Sequence, residues 1–590
     1  MMKFNNRKIL ILIVSVLMVF ISCIYAVKDT NVSYFVANMM FKNQGVHQGD
    51  IIFSKESGFY EDEFKLYIFA PTEEIYYTLD GSDPTKESFK YTRPIQIIDA
   101  TENENHHSMR TDISAGFLDE EIEKYSAWKI DYQLPNYLID KNTVIRAVYY
   151  DEEGSCSEVA ERVYFVGYGD KTGYENVNII SITTDPENLF DYENGIYVLG
   201  EFFDEFKETQ LNDEYGGKTS WEQWGANYSQ SGRDWERKGH IQIFNKEKQL
   251  VISQDAGIRI QGGGSRAFQP KSFNLYARNE YGKNRFEYDF WGTGYQPRRM
   301  TLSNGGDDFN SKIMDRLVSE LAKDTNIVTM NYEPYVLFLN GEYWGFFYLT
   351  EKYDENYLEY YYGVDKGNDE ETNLLIMKNG KPNTEVFEEK YVYYTPMKEF
   401  IINNNMAKDE NYKKACELID MNSFIDYFAV EGYIARTGDW PRGNIAFWRS
   451  RNVSDLSFED GKWRWMLFDV NSLAMERSLI EHDSIATMRA NSEMFDSLCD
   501  NEEFRKAFAS RWIELSDTVF EKELVNEKIT EYTKLMDEPM EKHFQRFFGT
   551  PNERFHERVE EIRDFFNNRR PYVLESIRNN FGEEYLGEYQ

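Results

Sequence analysis

Asp439 and Asn444 stand five positions apart in the stretch GDWPRGNIAFWR, residues 438–449. A carboxylate at the first position can orient a hydroxyl and take its proton, and an amide oxygen at the second can hold a hard cation. A second group of chemistry-bearing residues lies upstream, in QDAGIRIQGGGSRAFQPKSFNLYAR, residues 254–278. Gly262, Gly263 and Gly264 let the backbone approach a ligand closely, while Arg259, Arg266 and Lys271 place three cations beside it, a combination suited to a polyphosphate. Each group also has a plainer reading. An Asp and an Asn at this spacing serve in many turns by bonding their own backbone, and a Gly-rich hairpin with basic residues is ordinary turn chemistry.

The elements that must position these residues are legible as patterns. NVNIISITTD (176–185) is an apolar strand, HIQIF (240–244) and QLVIS (249–253) form a hairpin, and GIRIQ and KSFNLYAR flank the Gly-rich turn. SKIMDRLVSELAKDT (311–325) is a helix, followed by the strand pair PYVLFLN and WGFFYLTE. From about Asn501 onward apolar residues recur at three and four spacing between charged faces, which predicts a helical end, 501–590. Residues 48–168 read differently: short alternating runs end in turn residues, as in EIYYTLDGSDPT and TVIRAVYYDEEG, interrupted by a polar insertion near 100–136. That segment predicts a small all-β sandwich.

Composition narrows the function classes. The 590 residues carry 102 acidic and 66 basic side chains, a formal charge of −36, which argues against nucleic acid or an anionic lipid surface as partner and suits a basic one. Lys3, Arg7 and Lys8 precede the uncharged run ILILIVSVLMVFISCIYA, residues 9–26, so residues 1–26 are expected to be a signal peptide, a lipoprotein signal or a membrane anchor. Membrane contact is expected through residues 9–26 only, and the remainder is expected outside the cell or at its surface. The four cysteines are too few and too scattered for a disulfide framework, and no HExxH or GxSxG signature is present.

With these residues in hand, two resemblances stand out. IYYTLDGSDPT followed by YTRPIQI resembles the chitobiase carboxy-terminal type of immunoglobulin-like module, which implies a spacer or a glycan binder. From residue 176 onward the chain resembles the CotH family of spore-coat protein kinases. The likeness rests on GIRIQGGGSR with PKSF, then RFEYDFWG, the helix at 311–325, NGEYWGFFYLTEKYDENYLEYYYG, GDWPRGNIAFWR and KWRWMLFDVNS, in that order. It implies an α+β fold, an atypical two-lobed protein-kinase-like domain over 176–590 behind the small sandwich at 48–168. It implies transfer of the γ-phosphoryl group of ATP to Ser or Thr of a surface or coat protein, basic and Ser-rich, with Mg²⁺ or Mn²⁺. Asp439, at the spacing of a kinase catalytic loop, would be the catalytic residue. Lys271, Arg266, Arg259 and Glu351 would bind the nucleotide, Glu320 or Asp315 would steady Lys271, and Asp469 with Asn444 would hold the metal. The chain departs from the family pattern at Gly443, where an Asn is usual, and at Asn471, where a second Asp is usual. Transfer of AMP or glutamate on the same scaffold, or a surface-binding protein without catalysis, are the alternatives.

Overall fold

The computed structural model describes residues 51–117, 131–210, 225–367, 372–379, 381–382, 390–438, 440–471 and 475–587. They fall into two compact units. The smaller comprises the described part of Met1–Ser57 with Glu63–Ile98 and Val144–Arg162. Its strands are short and antiparallel: Ile52–Phe53 pairs with Ile68–Phe69, Phe64–Leu66 with Ile95–Ile97, and Ile75–Thr78 with both Phe89–Lys90 and the strand ending at Tyr149. The expected turns form for local reasons. Asp80 accepts from Ser82 N at 3.0 Å, and Asp151 accepts from Glu153 N and Ser155 N at 2.9 and 2.8 Å, so each Asp side chain closes the turn that its strand runs into. The polar insertion belongs to the second unit, and its described part consists of single 3-10 turns, among them Ala100–Glu102 and His107–Met109.

The larger unit has a β-rich first half and a helix-rich second half. Seven strands close a barrel: β1 (Asn178–Thr183), β2 (Arg237–Phe244), β3 (Leu250–Gln261), β4 (Ser272–Tyr276), β5 (Arg299–Ser303), β6 (Tyr332–Leu339) and β7 (Glu342–Thr350). Their order is β1-β2-β3-β4-β5-β7-β6, every pair antiparallel except β1 with β6, whose parallel pairing sets Ile180 opposite Leu337. Between β5 and β6 runs α1 (Met314–Ala322), whose start is capped by Asp308, accepting from Ile313 N and Met314 N at 3.0 and 3.1 Å. After the barrel come α2 (Glu355–Tyr362), β8 (Leu374–Lys378), α3 (Met421–Tyr433), β9 (Ala446–Ser450) and β10 (Arg464–Met466). The three strands belong to a small four-stranded sheet, in which β9 lies between β8 and β10 and the two-residue strand Lys381–Pro382 adds to the far edge of β8. Besides shorter helices elsewhere in the unit, its C-terminal end is built of the long helices α4 (Glu502–Thr518), α5 (Lys522–Phe548) and α6 (Glu553–Asn580), as the three and four spacing predicts.

Two cores meet at β7. Its nine residues are all buried, and successive side chains alternate between faces: Phe347 and Leu349 fill the barrel, while Phe346 and Tyr348 join the helical core with α1 and α5. A strand buried on both faces has no polar side, which is why WGFFYL is uniformly apolar. At Gly345 the backbone takes φ +103°, and a Cβ there would lie 2.9 Å from His543 Nδ1 and Phe547 Cε2 of α5, so only glycine fits. Deep in the helical half, Arg569 of α6 donates to the carbonyls of Gly432 and Tyr433 at 3.1 and 3.0 Å, and to those of Ile480 and His482 at 2.6 and 2.8 Å. It thereby closes the C-terminal end of α3 and fixes where the following loop begins.

The expectation of a membrane segment is corrected. No helix of the described residues is long and apolar enough to cross a membrane, and residues 9–26 lie outside the described residues. Neither membrane contact nor surface tethering is carried further.

Candidate functional site

One polar cleft of about 500 Å³ gathers residues from both halves of the larger unit. The turn after β3 supplies Gly262, Gly263 and Arg266, the strands β4 and β5 supply Asn274 and Thr301, and α1 supplies Asp315. The segment after β7 supplies Glu351 and Lys352, and the helix-rich half supplies Lys378, Asn379, Asn444, Asp469 and Asn471. Gly262 takes φ +118°, and a Cβ there would meet Ser265 Oγ at 2.3 Å; this tight turn brings bare backbone to the cleft edge.

Asp469 follows β10 by three residues and adopts φ +57°. Its carbonyl accepts from the buried Arg436, whose Nε lies 3.8 Å from Glu431 of α3. The next two residues are tied to α1: Asp315 accepts from Val470 N at 2.9 Å and from Asn471 Nδ2 at 2.6 Å. Burial, reinforced by the neighbouring Asp469, pushes the Asp315 carboxyl up to about 7. Asn444 also sits in the left-handed region, at φ +47°, as does Asn379 at φ +51°. Asn379 N donates to Ile445 O at 2.9 Å, and Ile445 N donates back to Asn379 Oδ1 at 3.3 Å, pinning the chain beside Asn444. Three non-glycine residues in the left-handed region on one cleft wall mark backbone that the surroundings hold in place. Asp439 lies outside the described residues; its neighbour Trp440 is fully buried, with Nε1 donating to Tyr427 OH at 3.0 Å.

The cations expected at the phosphates are placed differently from one another. Arg266 lines the cleft, but its guanidinium is engaged by backbone, donating to Gly262 O at 2.7 Å and Ser229 O at 3.1 Å. Arg259 points to the buried Glu236, donating from Nε at 2.8 Å, a carboxylate it shares with Arg278. Lys271 is fully buried behind the turn, where its ammonium lies 3.6 Å from the Tyr228 ring centroid and donates to Arg266 O at 2.7 Å. Burial holds it well below the ordinary ammonium range. Of the two carboxylates expected beside it, Glu320 pairs with Lys323 at 2.9 Å and Asp315 faces the Asp469 loop. Glu351 is at the cleft and without solvent exposure, accepting from Asn331 N at 2.8 Å, Asn331 Nδ2 at 3.0 Å and Tyr361 OH at 2.5 Å.

Among the cleft residues with no counterpart in the sequence reading are Asn274, Lys352 and Lys378. Lys352 Nζ donates to Asn274 Oδ1 at 2.8 Å, and the same oxygen accepts from Thr301 Oγ1 at 2.9 Å. Lys378 lies over the rings of Phe468 and Tyr353, 5.0 and 5.6 Å from their centroids. For the two lysines the sequence signal was a place at the end of an apolar strand, LLIMK, or two residues beyond one, LTEK.

The expected metal centre is corrected as well. Among the described residues no group of three or more His, Cys, Asp or Glu side chains is disposed to hold a metal ion. The cleft offers Asp469 with the amide oxygen of Asn444, while Asn471 Oδ1 already accepts from Asp307 N at 3.3 Å and Asp315 already accepts two hydrogen bonds. Such a donor set does not make a site of the protein's own. It fits only a hard cation whose remaining ligands are a bound phosphate and water.

The chain's likeness to known proteins falls in the same regions. No curated protein sequence matches it. Residues 65–164 match the family described as Fn3 associated, which covers most of the segment expected to be a chitobiase-type sandwich. Residues 258–573, from within β3 to within α6, match the CotH kinase protein family. That match takes in every described residue of the cleft and more than half of the 590, and the chain therefore belongs to the CotH family.

Proposed function

We propose that the larger unit is an atypical two-lobed protein kinase, with the barrel as one lobe and the helix-rich half as the other, and that it transfers the γ-phosphoryl group of ATP to a Ser or Thr hydroxyl of a protein. The observation that carries this reading is the convergence of Asp469, Asn444 and the Gly262 turn on one polar cleft between barrel and helices. Little covalent chemistry is asked of the protein in such a transfer; positioning and electrostatics do most of it. ATP brings the transferable group together with the Mg²⁺ or Mn²⁺ that its phosphates carry. The bare backbone at Gly262 and Gly263 lets phosphate oxygens approach. Asp469 and Asn444 direct hard oxygens towards the same place, held there by Arg436, by Asp315 and by the Asn379–Ile445 pair. Asp439 orients the acceptor hydroxyl and takes its proton.

The test is intact-mass analysis of the full chain with a basic Ser-rich protein, ATP and either cation, beside an Asp469→Ala variant of matched melting temperature. A phosphate increment on the acceptor is expected with the wild-type chain, reduced at least about 10²-fold by the substitution. An AMP or glutamate increment, or none with either cation, overturns the reading.

A further inference from the structure

The cleft contains two lysines that have no ion-pair partner among the described residues. Lys352 uses one ammonium proton on Asn274 Oδ1, and Lys378 faces two aromatic rings. No described carboxylate forms an ion pair with either. Asp354, whose charge acts on both, spends Oδ1 on capping α2, accepting from Asn356 N and Tyr357 N at 3.0 Å each. An ammonium has three donors, so both side chains keep donors to offer a ligand. Every other cation first assigned to the ligand is satisfied: Lys271 and Arg266 by backbone carbonyls, Arg259 by Glu236.

We propose that Lys352 and Lys378 form the anion subsite of the cleft and neutralise the phosphates of the bound nucleotide, a role that Lys271 and Arg259 do not fill. This rests on reading the cleft as a nucleotide site. The two lysines come from different halves of the larger unit. Lys352 leaves the end of β7 and reaches Asn274 on β4, in the barrel. Lys378 ends β8, beside Asn379 and against Phe468, so it adjoins the residues that hold Asn444 and Asp469. An anion between the lysines therefore shares the cleft with Asn444 and Asp469. Electrostatics agree with the geometry. Burial, with the nearby Lys378 and Arg299, brings Lys352 down to about 7, and burial brings Lys378 down to about 8. Two like charges held together in poorly solvated surroundings repel, and a polyphosphate relieves that repulsion while gaining charge-assisted hydrogen bonds.

The experiment uses the full chain with inorganic tripolyphosphate and with ATP as probes, by calorimetric titration, in the wild type, Lys352→Met, Lys378→Met and Arg259→Gln. Each lysine substitution is expected to weaken both probes about tenfold or more, with Arg259→Gln unchanged. Because each removes one partner of a repelling pair, neither lysine variant should melt below the wild type. Unchanged affinity in both lysine variants, or no binding of either probe to the wild type, overturns the proposal. Should a variant fail to fold, acetylation of the wild type mapped by mass spectrometry decides the matter. Tripolyphosphate is expected to protect Lys352 and Lys378 and not the exposed Lys323, and failure to protect either overturns the subsite. Phosphoryl transfer that persists with unchanged affinity in the lysine variants rejects the subsite and leaves the kinase reading. Lysine-dependent tripolyphosphate binding without any transfer does the reverse.

Discussion

Glu351 keeps a carboxyl where water does not reach it, and its surroundings set how the protein responds to pH. Burial pushes its pKa from the ordinary 4.5 up to about 7. A carboxyl whose folded pKa is raised favours the fold while protonated. Its contribution is full below about 4.5 and is lost as pH rises through about 7, at a cost of at most about 3 kcal/mol. Glutamine preserves the arrangement of the protonated acid: its oxygen can accept from Asn331 and its amide can donate to Tyr361 OH. Glu351→Gln is therefore expected to flatten the fall in melting temperature between pH 5 and pH 8 and to melt above the wild type at pH 8. Thermal melts of both proteins across that range check this, and equal slopes would remove Glu351 as the source. The same residue marks the limit of what sequence could say about the site. Its place after an apolar strand was readable, but the adjacent Lys352 was not, since nothing in LTEKYD tells which charged side chain turns into the cleft. Lys271 beside a Gly-rich turn had the right type for phosphate, yet a partner 43 residues upstream in sequence, Tyr228, claims its ammonium.

Among the elements, β7 bears most on the fold, because it walls two cores at once. Gly345→Ala forces a Cβ against His543 and Phe547 and strains a backbone at φ +103°. Overpacking and an incompatible backbone together predict a loss of roughly 2–4 kcal/mol, read as a lower urea midpoint with unchanged slope. A loss under about 0.5 kcal/mol would mean that α5 shifts freely. Strand periodicity revealed most of the barrel: the β2–β3 hairpin and the β3–β4 pair around the glycines lie where alternation and turn residues put them. Closure of the barrel was beyond that reading. It depends on the parallel pairing of β1 with β6, some 150 residues apart, and no local pattern encodes such a partner. The dual burial of β7 was likewise hidden, since a uniformly apolar run does not say how many cores it serves.

For the whole molecule the dominant quantity is its formal charge of −36 over 590 residues. Self-repulsion of that size destabilises a compact chain and is screened by salt, so the melting temperature is expected to rise by roughly 2–4 °C between 10 and 150 mM NaCl. A fall would show that ion pairs such as Arg511–Asp426 outweigh the repulsion. The same acidity favours a basic acceptor over an acidic one in the proposed transfer, and more so at low salt. Within this acidic chain the cleft is evenly balanced, with Arg266, Lys352 and Lys378 set among Asp315, Glu351 and Asp469. At its last residue, Thr350, β7 reaches that cleft, and it is a strand with little room to bend. Because β7 has side chains locked into the barrel on one face and into the helices on the other, flexing it would open a void on one side and a clash on the other. The segment beyond residue 350, with Glu351 and Lys352, therefore starts from a fixed point, and a rearrangement of that side of the cleft begins after Thr350.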